Sequence, residues 1–580
     1  MESSASSIHS QHTLTGPSPS SKPSPHSSTA PLPPAEVPHY KLVLSQSLVT
    51  DEVLHHTYPG SGTSEDPYRI EFIPHDPRNP KTWKKWKKWT ITMTCAIATL
   101  AVAFVSSAFT GGIAQMMEAF GVGTEIITLG VSLFVLGFAI GPLLWAPLSE
   151  LYGRQVLFFA TYAGLTAFNA GAAGSQNIQT LVILRFFAGA IGSSPLTNAG
   201  GVIADMFDAN ERGLAMAIFS AAPFLGPTMG PIVGGFLGET EGWRWVEGLM
   251  AIFTGVVWIV GSLVIPETYA PVLLRRRAAK LSEMTGQVYL SQLDYDRGKQ
   301  SFSQTMLTAL SRPWILLIRE PIVFLLSLYM AIIYGTLYMC FGAFPIVYQE
   351  NRGWSEGVGA LPFISVAIGM MFGVLYVILY ENKRYVRAAK KAGGRAPPEQ
   401  RLHAAMISCA ALPIGLFWFA WTNSPSVHWS VSVIATAPFG FGMVLVFLSI
   451  MNYLIDAYVI YAASVLAANS VLRSLFGAAF PLFTTYMFEN LGIHWASTIP
   501  AFLALACVPF PFLFFKFGPQ IRKRCKYAAE AERFLRDIQA EKDPKEIAEE
   551  EEAEREADRE TLNGKNNVER DLEKGSPKGV

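Results

Sequence analysis

The chain is 580 residues long, 50% hydrophobic and 16% charged, with 45 basic against 45 acidic side chains. Soluble domains carry about 25% charged residues, so this composition excludes an ordinary cytosolic enzyme, and no nucleophile–base constellation or phosphate loop argues for one. The five cysteines, Cys95, Cys340, Cys409, Cys507 and Cys525, have neither CxxC nor metal-ligand spacing. No disulfide framework, metal or cofactor is therefore expected.

Residues 1–80 are expected to form a disordered cytosolic tail, because the segment opens "MESSASSIHSQHTLTGPSPSSKPSPHSSTAPLPP" without an apolar signal core. It ends in "NPKTWKKWKKW", where tryptophans and lysines abut the first apolar run. That pairing reads as an interfacial anchor facing anionic lipid in preference to a nucleic-acid patch. Six apolar runs follow near 90–110, 124–146, 155–174, 178–203, 214–238 and 245–265, each about the 20 residues that a bilayer span needs. They define an N-terminal six-helix bundle over 81–266. A polar loop over 267–314 separates it from a second bundle over 315–517, with runs near 321–346, 357–380, 402–421, 429–455, 459–487 and 494–516. A charged tail, 518–580, closes the chain. The expected fold is thus all-α, twelve membrane-spanning helices in two six-helix bundles.

Basic residues cluster before the first run, in the central loop at Arg275, Arg276, Arg277 and Lys280, and after the eighth run in "NKRYVRAAKKAGGRAPPEQR". All three positions fall on one side, and the opposite loops carry little beyond Arg244 and Arg352. By the positive-inside rule both termini should be cytosolic.

Ionisable groups inside a membrane cost about 2.5 to more than 10 kcal/mol, so each should have a partner or a cavity. Arg185 lies within the fourth run and Arg473 within the eleventh. Either they serve transport or they bond the backbone of a neighbouring helix. Asn198 and Asn469, on the same runs, are helix–helix contacts or cavity groups. The first run contains no acid, which leaves Glu150, Asp205 and Asp456 near membrane edges. Asp205 lies seven residues after Asn198, on roughly the same face. In "GPLLWAPLSELYGRQ", Gly141, Glu150, Gly153 and Arg154 read as a tight turn with an ion pair, or as a latch between bundles. In "GPTMGPIVGG", Gly226, Gly230 and Gly234 share one helical face beside Pro227 and Pro231, with Gly235 adjacent. That face is either a close-packing groove or a seam on which helices move. Tyr329, Tyr334, Tyr338, Phe341, Phe344 and Tyr348 could line an aromatic cavity or face lipid.

Three of these stretches together resemble the major facilitator superfamily and, within it, the twelve-span drug:proton antiporters of fungi. "GPLLWAPLSELYGRQ" is similar to the superfamily's loop signature, although Leu151 and Gln155 stand where basic residues are frequent. "LVILRFFAGAIGSSPLTNAGGVIADMF" is similar to the fourth-span signature, and "GPTMGPIVGG" to the fifth-span antiporter signature. "WRWVEG", "PET" and "PPEQRL" match the fungal branch as well. The resemblance implies two bundles related by a pseudo-twofold axis and a midplane cavity that opens alternately to either side. It also implies proton-driven export of a small amphipathic molecule (drug, toxin, secondary metabolite or polyamine), with Arg185 involved in coupling. Such an antiporter needs a titratable group reachable from the cavity, for which Asp205 is the first candidate, its alternative reading being a cytosolic helix-end carboxylate. Partners would be substrate, protons and lipid, not nucleic acid, and the chain would act as a monomer in the plasma membrane. Uptake or facilitated passage on the same fold is the rival reading.

Overall fold

The computed structural model describes residues 37–298, 302–392 and 396–541. Ten long apolar helices follow one another: α1 (Lys85–Phe120), α2 (Thr124–Tyr152), α3 (Arg154–Ala173), α4 (Ile178–Met206), α5 (Glu211–Glu241), α6 (Trp243–Val264), α7 (Pro321–Glu350), α8 (Glu356–Lys391), α9 (Pro398–Thr422) and α10 (Trp429–Ala457). An eleventh apolar run, Val459–Arg524, covers 66 residues, far beyond one crossing at 1.5 Å per residue. Gly492 breaks it with φ 73° and ψ 165°, a conformation closed to side chains with a Cβ. The run is therefore two spans, α11 (459–491) and α12 (493–524), and the expected twelve are present.

Hydrocarbon offers polar groups no water, so several hydroxyls within these helices bond a carbonyl of the preceding turn. Thr92 and Thr99 donate to the carbonyls of Lys88 and Cys95, each at 2.9 Å. Proline is tolerated at Pro142 and Pro147 in α2 and at Pro227 and Pro231 in α5 without ending the helix. In α4 the helix is interrupted at Ser193, and Pro195 sits in the first turn of its second part.

Packing repeats between the halves. In the first half α1 packs on α5, α2 on α4 and α3 on α6; in the second α7 packs on α11 and α8 on α10. The halves meet along two seams, α2 against α11 and α5 against α8. Small residues bring the helices close. A Cβ on Gly477 of α11 would lie 3.1 Å from Val135 of α2, and one on Gly235 of α5 would lie 3.2 Å from the Cα of Gly357 of α8.

The segment before α1 departs from the expected tail to residue 80. Residues His39–Leu44 and Asp51–His55 are helical, and β1 (Tyr68–Ile70) pairs in parallel with β2 (Tyr289–Ser291) of the central loop. Val53, Tyr58, Ile70 and Ile73 bury against Ala278, Leu281 and Tyr289. Asp76 and Arg277 form an ion pair in which both side chains are buried, Arg277 Nη2 donating to Asp76 Oδ1 at 3.1 Å. Composition biased by Ser and Pro ends before this segment, and enough apolar surface follows to fold a collar over one end of the first bundle. Residues 1–36 and 542–580 lie outside the described residues. The central loop is likewise structured, with helices over Ala270–Thr285 and Phe302–Arg319, and the C-terminal segment is helical to Glu541. Arg78, also buried in the collar, has its guanidinium pulled down to about 10 by desolvation, with Glu267 opposing that pull.

Candidate functional site

The loop motif between α2 and α3 folds around a carboxylate. Gly153 adopts φ 100° and ψ 164°, and a Cβ there would strike the Glu267 side chain. Glu267 Oε1 accepts from the backbone N–H of Arg154 at 3.0 Å and of Thr268 and Tyr269 at 2.9 Å, while Oε2 accepts from Gln155 at 3.2 Å. An anion thus sits on the N-terminus of α3, where the helix dipole favours it. Arg154 Nε donates to Asp205 Oδ2 at 3.4 Å and Nη1 to Ser149 Oγ, and the guanidinium lies over Tyr269. Thr268 completes the cluster by donating to Asp205 at 3.2 Å.

This corrects one expectation and decides between alternatives in two others. The acid that Arg154 meets is Asp205, with Glu267 beside it; Glu150 is exposed and makes no ion pair among the described residues. Asp205 is a helix-end carboxylate bonded to Arg154 and Thr268. Every partner belongs to the first half, so the cluster is an ion pair that ties α2, α3, α4 and the end of α6 together, in place of clasping two bundles. Gly141 contributes by packing α2 on α4, where a Cβ would meet Ser193 and the Ala190 carbonyl. The second half repeats the device. Arg401, at the start of α9, donates to Asp456 at 2.8 Å, and Tyr385 donates to the same carboxylate at 3.1 Å.

The glycines of α5 divide by face. Cβ atoms on Gly226 and Gly230 would lie 2.7–2.8 Å from backbone atoms of Leu100, Phe104 and Ala108 in α1, and Gly234 presses on Ala108 likewise. Gly226, Gly230 and Gly234 thus seat α5 on α1 inside the first bundle. Gly235 faces the other bundle, where a Cβ would lie 2.9 Å from the Glu356 carbonyl oxygen, and Gly357 N–H donates to Glu239 Oε2 at 3.0 Å across the same seam.

Arg185 is fully buried in the first bundle. Its Nη2 donates to the Val105 carbonyl of α1 at 3.0 Å and Nε to the Gly130 carbonyl of α2 at 3.3 Å. Phe134 and Phe109 cover its faces at 4.3 and 4.7 Å, and Nη1 stands 3.9 Å from the sulfur of Met250. Arg473 lies at the meeting of the bundles, 4.8 Å from the Tyr334 ring and 5.5 Å from Phe447, which packs on Phe224 of α5. Tyr334 donates to Tyr338 at 3.3 Å, and Tyr338 reaches Ser106 of α1 at 2.8 Å, so a chain of hydroxyls crosses from α7 to the first bundle. The other four aromatics expected to line a cavity or face lipid are buried within protein: Tyr329 meets Cys409, Tyr348 meets Ser432, and Phe341 and Phe344 pack on Phe363.

Asn469 donates to Ser327 and to the Met330 sulfur, each at 3.1 Å, which makes it a contact between α11 and α7. Asn198 donates to Ser194 within α4 at 3.0 Å and lines a small apolar recess with Arg154 at the collar end. Sequence reasoning missed Glu247, which α6 buries to 1% exposure with neither carboxylate oxygen hydrogen-bonded. The charges of Arg185 and Glu247 act on each other.

Twelve spans in two similar halves, meeting along two glycine-lined seams and stapled at one end by matching Arg–Asp pairs, define a membrane transport fold. A family model, Major Facilitator Superfamily, matches residues 95–481, and the chain belongs to that superfamily. It is 66% identical over 505 residues to the MFS-type efflux pump MFS2 of Trichophyton rubrum, covering 87% of this chain and 85% of that protein. It is 64% identical over 505 residues to the major facilitator superfamily multidrug transporter mdrA of Aspergillus fumigatus, covering 87% and 83%. Among solved structures, the xylose transporter XylE of E. coli in a partially occluded inward-open conformation superposes with a TM-score of 0.53 at 14% identity, over 74% of this chain and 99% of that one. This last likeness concerns the fold alone.

Proposed function

We propose that this chain exports small amphipathic organic molecules from the cytosol in exchange for protons, by alternating access. Its carrying observation is the similarity, at 66% and 64% identity across most of both lengths, to proteins named as an efflux pump and a multidrug transporter. Basic residues gather at the collar end, which by the positive-inside rule supports cytosolic termini, and the reading takes the plasma membrane as the site of action. An Arg–Asp pair ties helices together within each half, and a single chain supplies both halves, which supports action as a monomer. Arg473, Tyr334 and Tyr338 stand where the bundles meet, where a substrate would be bound and handed from one side to the other. Arg185 sets the charge of the first bundle from within.

Cells expressing the chain and preloaded with ethidium should lose the dye faster than controls, and a proton uncoupler should abolish the difference. Efflux unaffected by the uncoupler would remove proton coupling; dye accumulation in place of loss would establish the uptake reading.

A further inference from the structure

We infer that Glu247 is the group that binds and releases the coupling proton, with Arg185 as its counter-charge; this deepens the proton-driven reading and rests on it. An ionised carboxylate buried without donors is costly, several kcal/mol even after relaxation. Glu247 is 1% exposed and neither oxygen accepts a hydrogen bond. That environment suits the neutral acid.

The neighbour supplies the alternative. Met250 and Glu247 lie one turn apart on α6, so both address the same side of the helix. In this arrangement the Arg185 guanidinium faces the Met250 sulfur at 3.9 Å and spends its other donors on the Val105 and Gly130 carbonyls. A shift of one turn along α6 would bring it onto the Glu247 carboxylate once the proton leaves. The step balances simply: the carboxylic acid gives up one proton to water, and the carboxylate formed takes Arg185 as partner. In the reverse step the carboxylate takes a proton from water and Arg185 returns to the backbone carbonyls.

The move has a mechanical consequence. Val105, released or held by Arg185, is followed by Ser106, whose hydroxyl meets Tyr338 of the other bundle. Proton state and seam are thus joined through adjacent residues of α1, a two-position element of the kind that coupling requires.

Few other charges compete. Tyr338 of α7 acts on Arg185. On the elements packed against α6, Tyr162 of α3 is committed to the Ala98 carbonyl, Cys95 of α1 is a buried thiol, Glu118 of α1 is exposed, and Glu239 of α5 accepts from Gly357. Glu241 of α5 is exposed; His39 contacts the Leu263 carbonyl near the other end of α6, and Arg244 donates to the Ser175 carbonyl.

The test begins with the unaltered full chain, purified in lipid nanodiscs and treated with a hydrophobic carbodiimide, which modifies protonated carboxyls in apolar surroundings. Peptide mass mapping should find Glu247 modified at acid pH and at least tenfold less at alkaline pH. Absence of modification at every pH, or equal modification throughout, overturns the assignment. In proteoliposomes, E247Q should retain ethidium exchange without a gradient yet lose its acceleration by an imposed pH gradient, and E247D should keep the acceleration with a displaced pH profile. A gradient response persisting in E247Q overturns Glu247 as carrier while leaving proton-driven export intact. A wild-type chain that ignores the gradient overturns the export reading itself.

Discussion

Gly153 shows how one backbone position organises an end of the first bundle. Its φ of 100° and ψ of 164° belong to a region that side chains enter only at a cost of order 1–3 kcal/mol, and a Cβ would also displace Glu267 from the start of α3. G153A should lower the melting temperature and the surface abundance. G248A, at a position with no neighbour within 4 Å, should leave both unchanged or slightly raised, as judged by thermal denaturation of the purified protein. The motif was legible in sequence as a tight turn with a cation, but its anion was not. Glu150 is near in sequence; Asp205 and Glu267 are near in space, 51 and 113 positions from Arg154. Glu247 escaped notice for a similar reason: four residues from the start of its span, it reads as an edge charge. Arg185 lies seven residues in from the same membrane face on α4, and only counting both helices from that face brings the two together.

At the scale of elements, α5 carries glycines with separate duties. G230A puts a methyl against the α1 backbone, and loss of folded protein is expected because neither backbone can yield. G235A crowds only the α8 contact; transport should fall with abundance near wild type. Immunoblotting of surface protein beside dye efflux separates the two outcomes, and equal loss of abundance in both variants would contradict the division of faces. The close packing was readable from the fourfold spacing, whereas which helix each glycine meets depended on the tertiary arrangement. The collar gives another contrast. R277A would leave Asp76 buried without its partner, a loss of about 3–5 kcal/mol when one member of such a pair is removed. Protease should then cut within residues 56–67 much faster than in the parent chain. Low-complexity sequence at the start concealed this element, because its strand has only three residues and finds its mate across the first six spans.

At the scale of the whole molecule, two bodies meet along seams that must part for substrate to pass. Cysteines replacing Gly235 and Gly357, whose backbones nearly touch, should form a disulfide that arrests efflux, and reductant should restore it. Efflux continuing at full rate in the cross-linked protein, with the bond verified by mass spectrometry, would show that this seam stays closed throughout the cycle. The twelve spans and their division were fully legible, since a span is a length of apolar chain and the bilayer sets that length. Which groups face one another across the seams was not, because helix rotation is set by packing that no single run encodes.

The pairing of β1 with β2 also orders events during synthesis. Residues 68–70 leave the ribosome early, yet their partner strand is at 289–291, and Asp76 waits for Arg277 across 201 positions. The collar cannot close until six spans have been made and threaded into the membrane. Its closure therefore reports that the first half is complete before the second begins, and a chain stalled earlier would display Val53, Ile70 and Ile73 as unburied apolar surface for quality control to recognise.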